Sequence, residues 1–294
     1  MNIGIIGGGS IGLLVGSYLS KNHVVTLYVK RKEQKEALQA KELVLYKFSN
    51  SFRSTSIKVK LVSEIDQNDC FFICVKQNDL YEIAPFYTKL DDQTPLIFLQ
   101  NGMGHVEQLQ SLSQPTYVGI VNHGANRMND YTVNHLGEGT ITLASVTGSE
   151  EQLAMLIDQL YDSSFVFKKV DDFIPLMHEK LIINAVINPL TAIFDVPNGS
   201  VIQNESLRLL ARNLCEEAAN ILRIHTELAW EKIYRVASST AENTSSMRAD
   251  ILNGKKTENE AISGYILHLA ETGQAPYTTF VYHSILVLER KTDV

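Results

Sequence analysis

Short apolar runs alternate with helix-spaced segments through the first part of the chain. Residues 2–6 (NIGII), 24–29 (VVTLYV), 71–75 (FFICV), 95–99 (PLIFL) and 117–121 (YVGIV) are nearly all apolar and too short for helices. Strands buried on both faces read this way. Residues 57–62 (IKVKLV) alternate like a strand with one wet face. Between these runs, LLVGSYLSK, the polar stretch Glu33 to Gln39 and DLYEIAPFYTKL suit helices. TVNHLGEGTITLA (132–144) predicts a pair of strands around Gly137 and Gly139. The alternation predicts an α/β fold, a doubly wound and mostly parallel sheet with helices on both faces.

The texture changes after about residue 150. FVFKKV (165–170) is the last strand-like run, and residues 173–188, 203–240 and 258–271 carry helical periodicity. VPNGS (196–200) predicts a turn and ADILNGKKTE (249–258) a polar loop. Pro189 lacks the N–H that a helix interior needs, so the helix around it is expected to kink or end there. These shifts predict an α/β domain over residues 1–170 and an all-α domain over residues 171–294.

Composition narrows the function classes. The 294 residues are 45% hydrophobic and 20% charged, an ordinary globular balance. A net charge of −7 argues against a nucleic-acid or anionic-membrane binder. No apolar stretch reaches the roughly 18 residues of a membrane span, and the apolar start lacks a positive flank. The three cysteines, Cys70, Cys74 and Cys215, fit a reducing cytoplasm, and Cys70 and Cys74 read as core residues of one strand. The eight histidines show no paired metal spacing, so no metal is expected, and no G-x-S-x-G elbow marks a hydrolase.

The strongest chemical signal is the run Gly7, Gly8, Gly9, Ser10, Ile11, Gly12, which fits G-x-G-x-x-G. It follows a predicted strand and opens a predicted helix, the context in which this pattern binds a dinucleotide. Gly7 allows the tight turn, Gly9 lets backbone N–H groups approach a pyrophosphate, and Gly12 lets helix and strand pack closely. An NAD-binding chain carries an acid at the end of its second strand; here Lys30, Arg31 and Lys32 stand there. A cationic cluster suits the 2′-phosphate of NADP, which points to NADPH with Lys30 and Arg31 as its readers. The competing reading is a solvated basic turn.

A second signal lies in residues 177–199. Lys180, Asn184 and Asn188 recur every four residues in an otherwise apolar helix, so they share one face. Burying an ammonium and two amides without partners would cost several kcal/mol. They therefore face a cleft, a ligand or each other. Asn101, in QNGMG after PLIFL, and Lys76, after FFICV, stand at strand ends, where doubly wound sheets bind ligands; a turn asparagine and a surface lysine are the plainer readings. AENTSSM (241–247) gathers Asn243, Ser245 and Ser246, which also suits a helix cap.

In this order, GGGSIG, VKQ, QNGMG, HGANR (123–127), K-x-x-x-N-x-x-x-N-P-L-T-A (180–192), PNG (197–199) and AENTSSM followed by T-E (257–258) resemble the ketopantoate reductases over essentially the whole length. The resemblance implies a Rossmann domain followed by a helical domain like that of 6-phosphogluconate dehydrogenase, with an active site in the interdomain cleft. It implies NADPH-dependent reduction of 2-dehydropantoate to (R)-pantoate, toward pantothenate and coenzyme A. Carried over by motif, Lys180 is the catalytic lysine and Asn101 lies between nicotinamide and substrate. Asn184, Asn188, Asn198, Asn243 and Ser246 line the substrate site. Glu258, Lys76, Ala125 and the glycine loop bind the cofactor. The family's arginine at the end of the second strand falls here on Lys30 or Arg31. Ser263 stands where the family often has an asparagine. The alternatives are a reductase of another small 2-oxo acid and an NADPH-binding sensor without turnover. A cytoplasmic enzyme, with a homodimer as one possible assembly, is the expected setting.

Overall fold

The structure, a computed structural model, describes residues 1–47, 50–54 and 57–291. Its strands are β1 (Asn2–Ile6), β2 (Val24–Val29), β3 (Leu43–Lys47), β4 (Asn50–Ser54), β5 (Ile57–Leu61), β6 (Cys70–Ile73), β7 (Leu96–Phe98), β8 (Thr116–Val121), β9 (Gly124–Arg127), β10 (Thr132–Gly137), β11 (Thr140–Ser145) and β12 (Val166–Lys169). Helices α1 (Ser10–Leu19), α2 (Lys32–Lys41), α3 (Leu80–Tyr87), α4 (Val106–Leu109) and α5 (Glu150–Gln159) join them. The rest is helical: α6 (Ile174–Phe194), α7 (Ser200–Gln203), α8 (Glu205–Leu222), α9 (Thr226–Ser239), α10 (Ser246–Leu252), a π-turn (Glu260–Gly264), α11 (Tyr265–Leu269) and α12 (Pro276–Lys291). The chain forms two compact units: Met1–Gln100 with His105–Phe173, and Asn101–Gly104 with the chain from Ile174 onward.

In the first unit, a sheet runs in the order β12-β11-β8-β7-β6-β1-β2-β5. All its pairings are parallel except β8 with β11. The central strands β6 and β8 are buried at every position, which is why their sequences are continuously apolar. From β1 the chain builds outward through β2 and β5, then returns to place β6 on the other side of β1. The carboxyl ends of β1 and β6 therefore flank the point where strand order reverses, the place where open α/β sheets bind ligands.

A second sheet, β4-β3-β10-β9, is absent from the sequence reading. It packs through β3, β9 and β10 on α1. The predicted pair at 132–144 is corrected: β10 and β11 are both strands, but they belong to different sheets. Gly139 passes between them so close to the backbone that a Cβ there would lie 2.3 Å from the Asn122 carbonyl oxygen. Alternation announces strands, but not their partners.

In the second unit, α6 packs against α8, α9, α10 and α12. Of the kink or end expected at Pro189, the end does not occur: α6 continues to Phe194. Residues 185–192 are all buried, so packing on every side outweighs the one backbone hydrogen bond that proline removes. The Thr191 hydroxyl also lies 2.8 and 3.0 Å from the carbonyl oxygens of Ile187 and Asn188. The helical stretch 203–240 is divided in two, with Arg223 in the left-handed region (φ 56°) ending α8. Part of the predicted polar loop at 249–258 is helix α10. No helix among the described residues is long and apolar enough to cross a membrane.

Candidate active site

The glycine loop is shaped by contacts that exclude side chains. Gly7 leaves β1 at φ +115°, and a Cβ there would lie 2.9 Å from the backbone of Cys74 and Val75, just past β6. A Cβ on Gly12 would lie 1.8 Å from the Gly7 carbonyl oxygen. Gly9 differs: a Cβ on it meets nothing within 4 Å. The loop is thus closed by protein at Gly7 and Gly12 and open at Gly9. Gly9 is also the N-cap of α1 and brings no side-chain cap to the first-turn N–H groups. Such a helix end attracts an anion. An open, uncapped glycine cradle fits the pyrophosphate of a dinucleotide.

Two polar side chains, Gln34 and Arg127, hold this loop. Gln34 Nε2 donates to the Gly8 carbonyl at 2.8 Å and to the Asp130 carbonyl at 3.0 Å. Arg127 Nη1 donates to the same Gly8 oxygen at 3.3 Å, and the Arg127 backbone N–H donates to Ser10 Oγ at 3.0 Å. Gln34 is buried. Sequence reasoning assigned no role to Gln34, Arg127 or Asp130. The only signal for Arg127 was its place in HGANR. Ala125 sits one strand turn earlier on β9, half-buried and paired with His135.

Lys30 and Arg31 follow β2, and both heads meet carboxylates. Lys30 pairs with Glu82 of α3, and Arg31 with Asp130 in the turn between β9 and β10. Arg127 Nη1 lies 3.6 Å from the same Asp130 oxygen. Lys76, just beyond β6, is half-buried.

The second unit holds the polar face of α6. Lys180 and Asn184 are half-buried and Asn188 is buried. Desolvation pushes Lys180 down to about 8, with the charge of Glu258 opposing the shift. Asn101 Nδ2 donates to Glu258 Oε2 at 3.0 Å, so Asn101, Glu258 and Lys180 form one electrostatic group. The close approach is set at Gly102 (φ +83°), where a Cβ would lie 2.4 Å from the Ala261 carbonyl oxygen in the π-turn.

Further along α6, Asn188 Nδ2 lies 3.5 Å from Ser246 Oγ at the start of α10. The two serines of AENTSSM have separate tasks. Ser245 is buried, caps α10 by accepting from the Arg248 N–H at 3.1 Å, and lies 2.7 Å from Thr191 Oγ1. Ser246 is exposed. Asn198 and Asn243 are joined through backbone, with the Asn198 N–H donating to the Asn243 carbonyl at 3.0 Å. Asn198 Nδ2 donates to Thr240 Oγ1 at 3.0 Å, and its buried Oδ1 has no hydrogen-bond partner among the described residues. The Asn243 side chain is exposed. Ser263 is fully buried in the π-turn. Among the described residues no group of three or more His, Cys, Asp or Glu is placed to hold a metal ion.

The first unit can bind a dinucleotide phosphate at its glycine loop, and the second presents the Lys180 ammonium with amide and hydroxyl groups on its own elements. The chain matches the family described as Ketopantoate reductase PanE/ApbA over residues 3–148, and its C-terminal counterpart over residues 172–289. A 2-dehydropantoate 2-reductase of Bacillus subtilis (strain 168) is 38% identical, over 100% of this chain and 99% of that protein. A 2-dehydropantoate 2-reductase of Listeria monocytogenes is 33% identical, over 100% of this chain and 99% of that protein. Among solved structures, a probable 2-dehydropantoate 2-reductase from Bacillus subtilis is similar, with TM-score 0.85 at 37% identity, covering 98% of this chain and 100% of that one.

Proposed function

Because this chain belongs to the ketopantoate reductase family, we propose that it reduces 2-dehydropantoate to (R)-pantoate with NADPH, a step toward pantothenate and coenzyme A. The observation that carries the mechanism is Lys180, a lysine held at about 8 on the polar face of a buried helix.

The bound dinucleotide supplies a hydride from C4 of its nicotinamide. Gly7, Gly8, Gly9, Ser10, Ile11 and Gly12 hold the pyrophosphate, Arg31 with Lys30 reads the 2′-phosphate, and Lys76 and Ala125 complete the cofactor contacts. Reduction of a ketone puts negative charge on its oxygen. Lys180 Nζ donates to that oxygen, stabilises the developing alkoxide and transfers a proton to it. An ordinary lysine holds its proton too tightly to be a good acid near neutrality. At about 8, Lys180 is still mostly protonated at pH 7 and gives the proton up more readily. Glu258 keeps the ammonium charged and orients Asn101. Asn184, Asn188 and Ser246 donate to the substrate's carboxylate and hydroxyl, with Asn198 and Asn243 shaping the wall beside them.

The test is the loss of NADPH absorbance when the purified protein meets 2-dehydropantoate, run beside NADH and beside Lys180→Ala. Turnover with NADPH that falls about 10²–10⁴-fold in the variant, with NADPH affinity kept, is the expected result. Collapse of NADPH affinity in Lys180→Ala would overturn the assignment of Lys180. NADPH binding without turnover of this acid, but with turnover of another 2-oxo acid, would overturn the substrate.

A further inference from the structure

The basic cluster that reads the 2′-phosphate is not a bare positive patch. Arg31 Nη2 is paired with Asp130 Oδ1. Lys30 is paired with Glu82. The two pairs differ in setting. The Lys30 and Glu82 side chains are 69% and 55% exposed, so water and salt screen them. Arg31 and Asp130 are 47% and 28% exposed, and the position of Asp130 is built into the glycine loop. Gln34 bonds the Asp130 carbonyl and the Gly8 carbonyl with one amide group. Arg127 lies 3.6 Å from the Asp130 carboxylate and also reaches the Gly8 carbonyl. The carboxylate therefore belongs to the same framework that shapes the pyrophosphate loop.

A 2′-phosphate that bonds to the Arg31 guanidinium must compete with this carboxylate, and two anions on one guanidinium repel each other. A ribose 2′-hydroxyl meets no such repulsion and can donate to a carboxylate, as it does to the acid of NAD-binding chains. Asp130 reaches by tertiary structure the place where the second strand carries only Lys30, Arg31 and Lys32.

We propose that Asp130 is a specificity-determining residue of the cofactor site: it competes with the 2′-phosphate for Arg31 and so tempers the preference for NADPH over NADH. The inference rests on the NADPH reading given above. It also assigns Arg31, not Lys30, as the cation through which discrimination acts, since the carboxylate on Arg31 is the one tied to the glycine loop through Gln34 and Arg127.

The test uses the full-length protein and titration calorimetry with 2′,5′-ADP and 5′-AMP in a buffer free of phosphate. Asp130→Asn is expected to tighten 2′,5′-ADP roughly three- to tenfold and to leave 5′-AMP unchanged or weaker. The gain should shrink with added salt. Asp130→Glu should restore wild-type discrimination. In an Arg31→Ala background, Asp130→Asn should lose its effect on 2′,5′-ADP, which a merely structural role for Asp130 would not produce. Glu82→Gln should leave the ratio of the two affinities near wild type. If Asp130→Asn changes both ligands equally, or Glu82→Gln tightens 2′,5′-ADP instead, the proposal is overturned while the NADPH reading stands. If wild type and Asp130→Asn both fail to prefer 2′,5′-ADP over 5′-AMP, the NADPH reading falls and the proposal with it.

Discussion

Asn101 donates through Nδ2 to Glu258 Oε2 at 3.0 Å, across 157 positions of sequence. That bond brings the loop after PLIFL to the T-E pair that opens the π-turn. It also positions a carboxylate that acts on the Lys180 ammonium by charge. Neither residue does this alone: Asn101 orients the carboxylate, and the carboxylate sets the proton affinity of the lysine.

The first prediction concerns that charge. Glu258 raises Lys180 against the desolvation that lowers it, so Glu258→Gln should lower Lys180 further below about 8. A lysine that donates the proton works only while protonated, so the reductive kcat of the wild type should fall as pH rises through about 8. In Glu258→Gln the falling limb should move to lower pH. A kcat profile from pH 6 to 10 measures it. A limb that stays put, or moves up, would show that Lys180 is not the titrating acid.

The glycine loop separates folding from binding. At Gly9 an added methyl meets no protein atom within 4 Å, so Gly9→Ala should keep stability to within about 1 kcal/mol. It should still weaken NADPH about tenfold, because the methyl stands over the N–H groups that would face the pyrophosphate. Gly12→Ala puts a methyl 1.8 Å from the Gly7 carbonyl oxygen and should cost about 2 kcal/mol or more of stability. Thermal unfolding and NADPH fluorescence titration together check both. Loss of stability in Gly9→Ala with intact binding would reverse the assignment.

The neighbouring serines offer a similar contrast. Ser245→Ala removes the cap of α10 and should cost about 1 kcal/mol of stability with little change in KM for the keto acid. Ser246→Ala should leave stability within about 0.5 kcal/mol and raise that KM about tenfold, as expected for losing a hydrogen bond to a charged group. Denaturant melts and steady-state kinetics on the two variants decide it.

Much of the fold is legible in the chain because it is local. The first three residues of FFICV lie in β6, a central strand buried at every position, as a short, continuously apolar run suggests. NIGII followed by GGGSIG can only turn sharply into a helix, because Gly7 takes φ +115° and Gly12 has no room for a side chain. Lys180, Asn184 and Asn188 share a face of α6 because the helical period places them there. In each case the information lies within a few residues, where backbone sterics and the burial period act.

What the chain does not disclose is which distant groups meet. The strands at 132–137 and 140–145 alternate alike, yet one pairs with β3 and β9 and the other with β8 and β12. Pro189 argues locally for a helix that kinks or ends, and α6, buried through residues 185–192, does not end there. The carboxylate beside Arg31 comes from Asp130, 99 positions away, and the one beside Lys180 from Glu258. Periodicity records how much of a residue is buried, not against what. Partners are chosen by packing of the whole chain, and so the charges that tune the two key cations were set only when it folded.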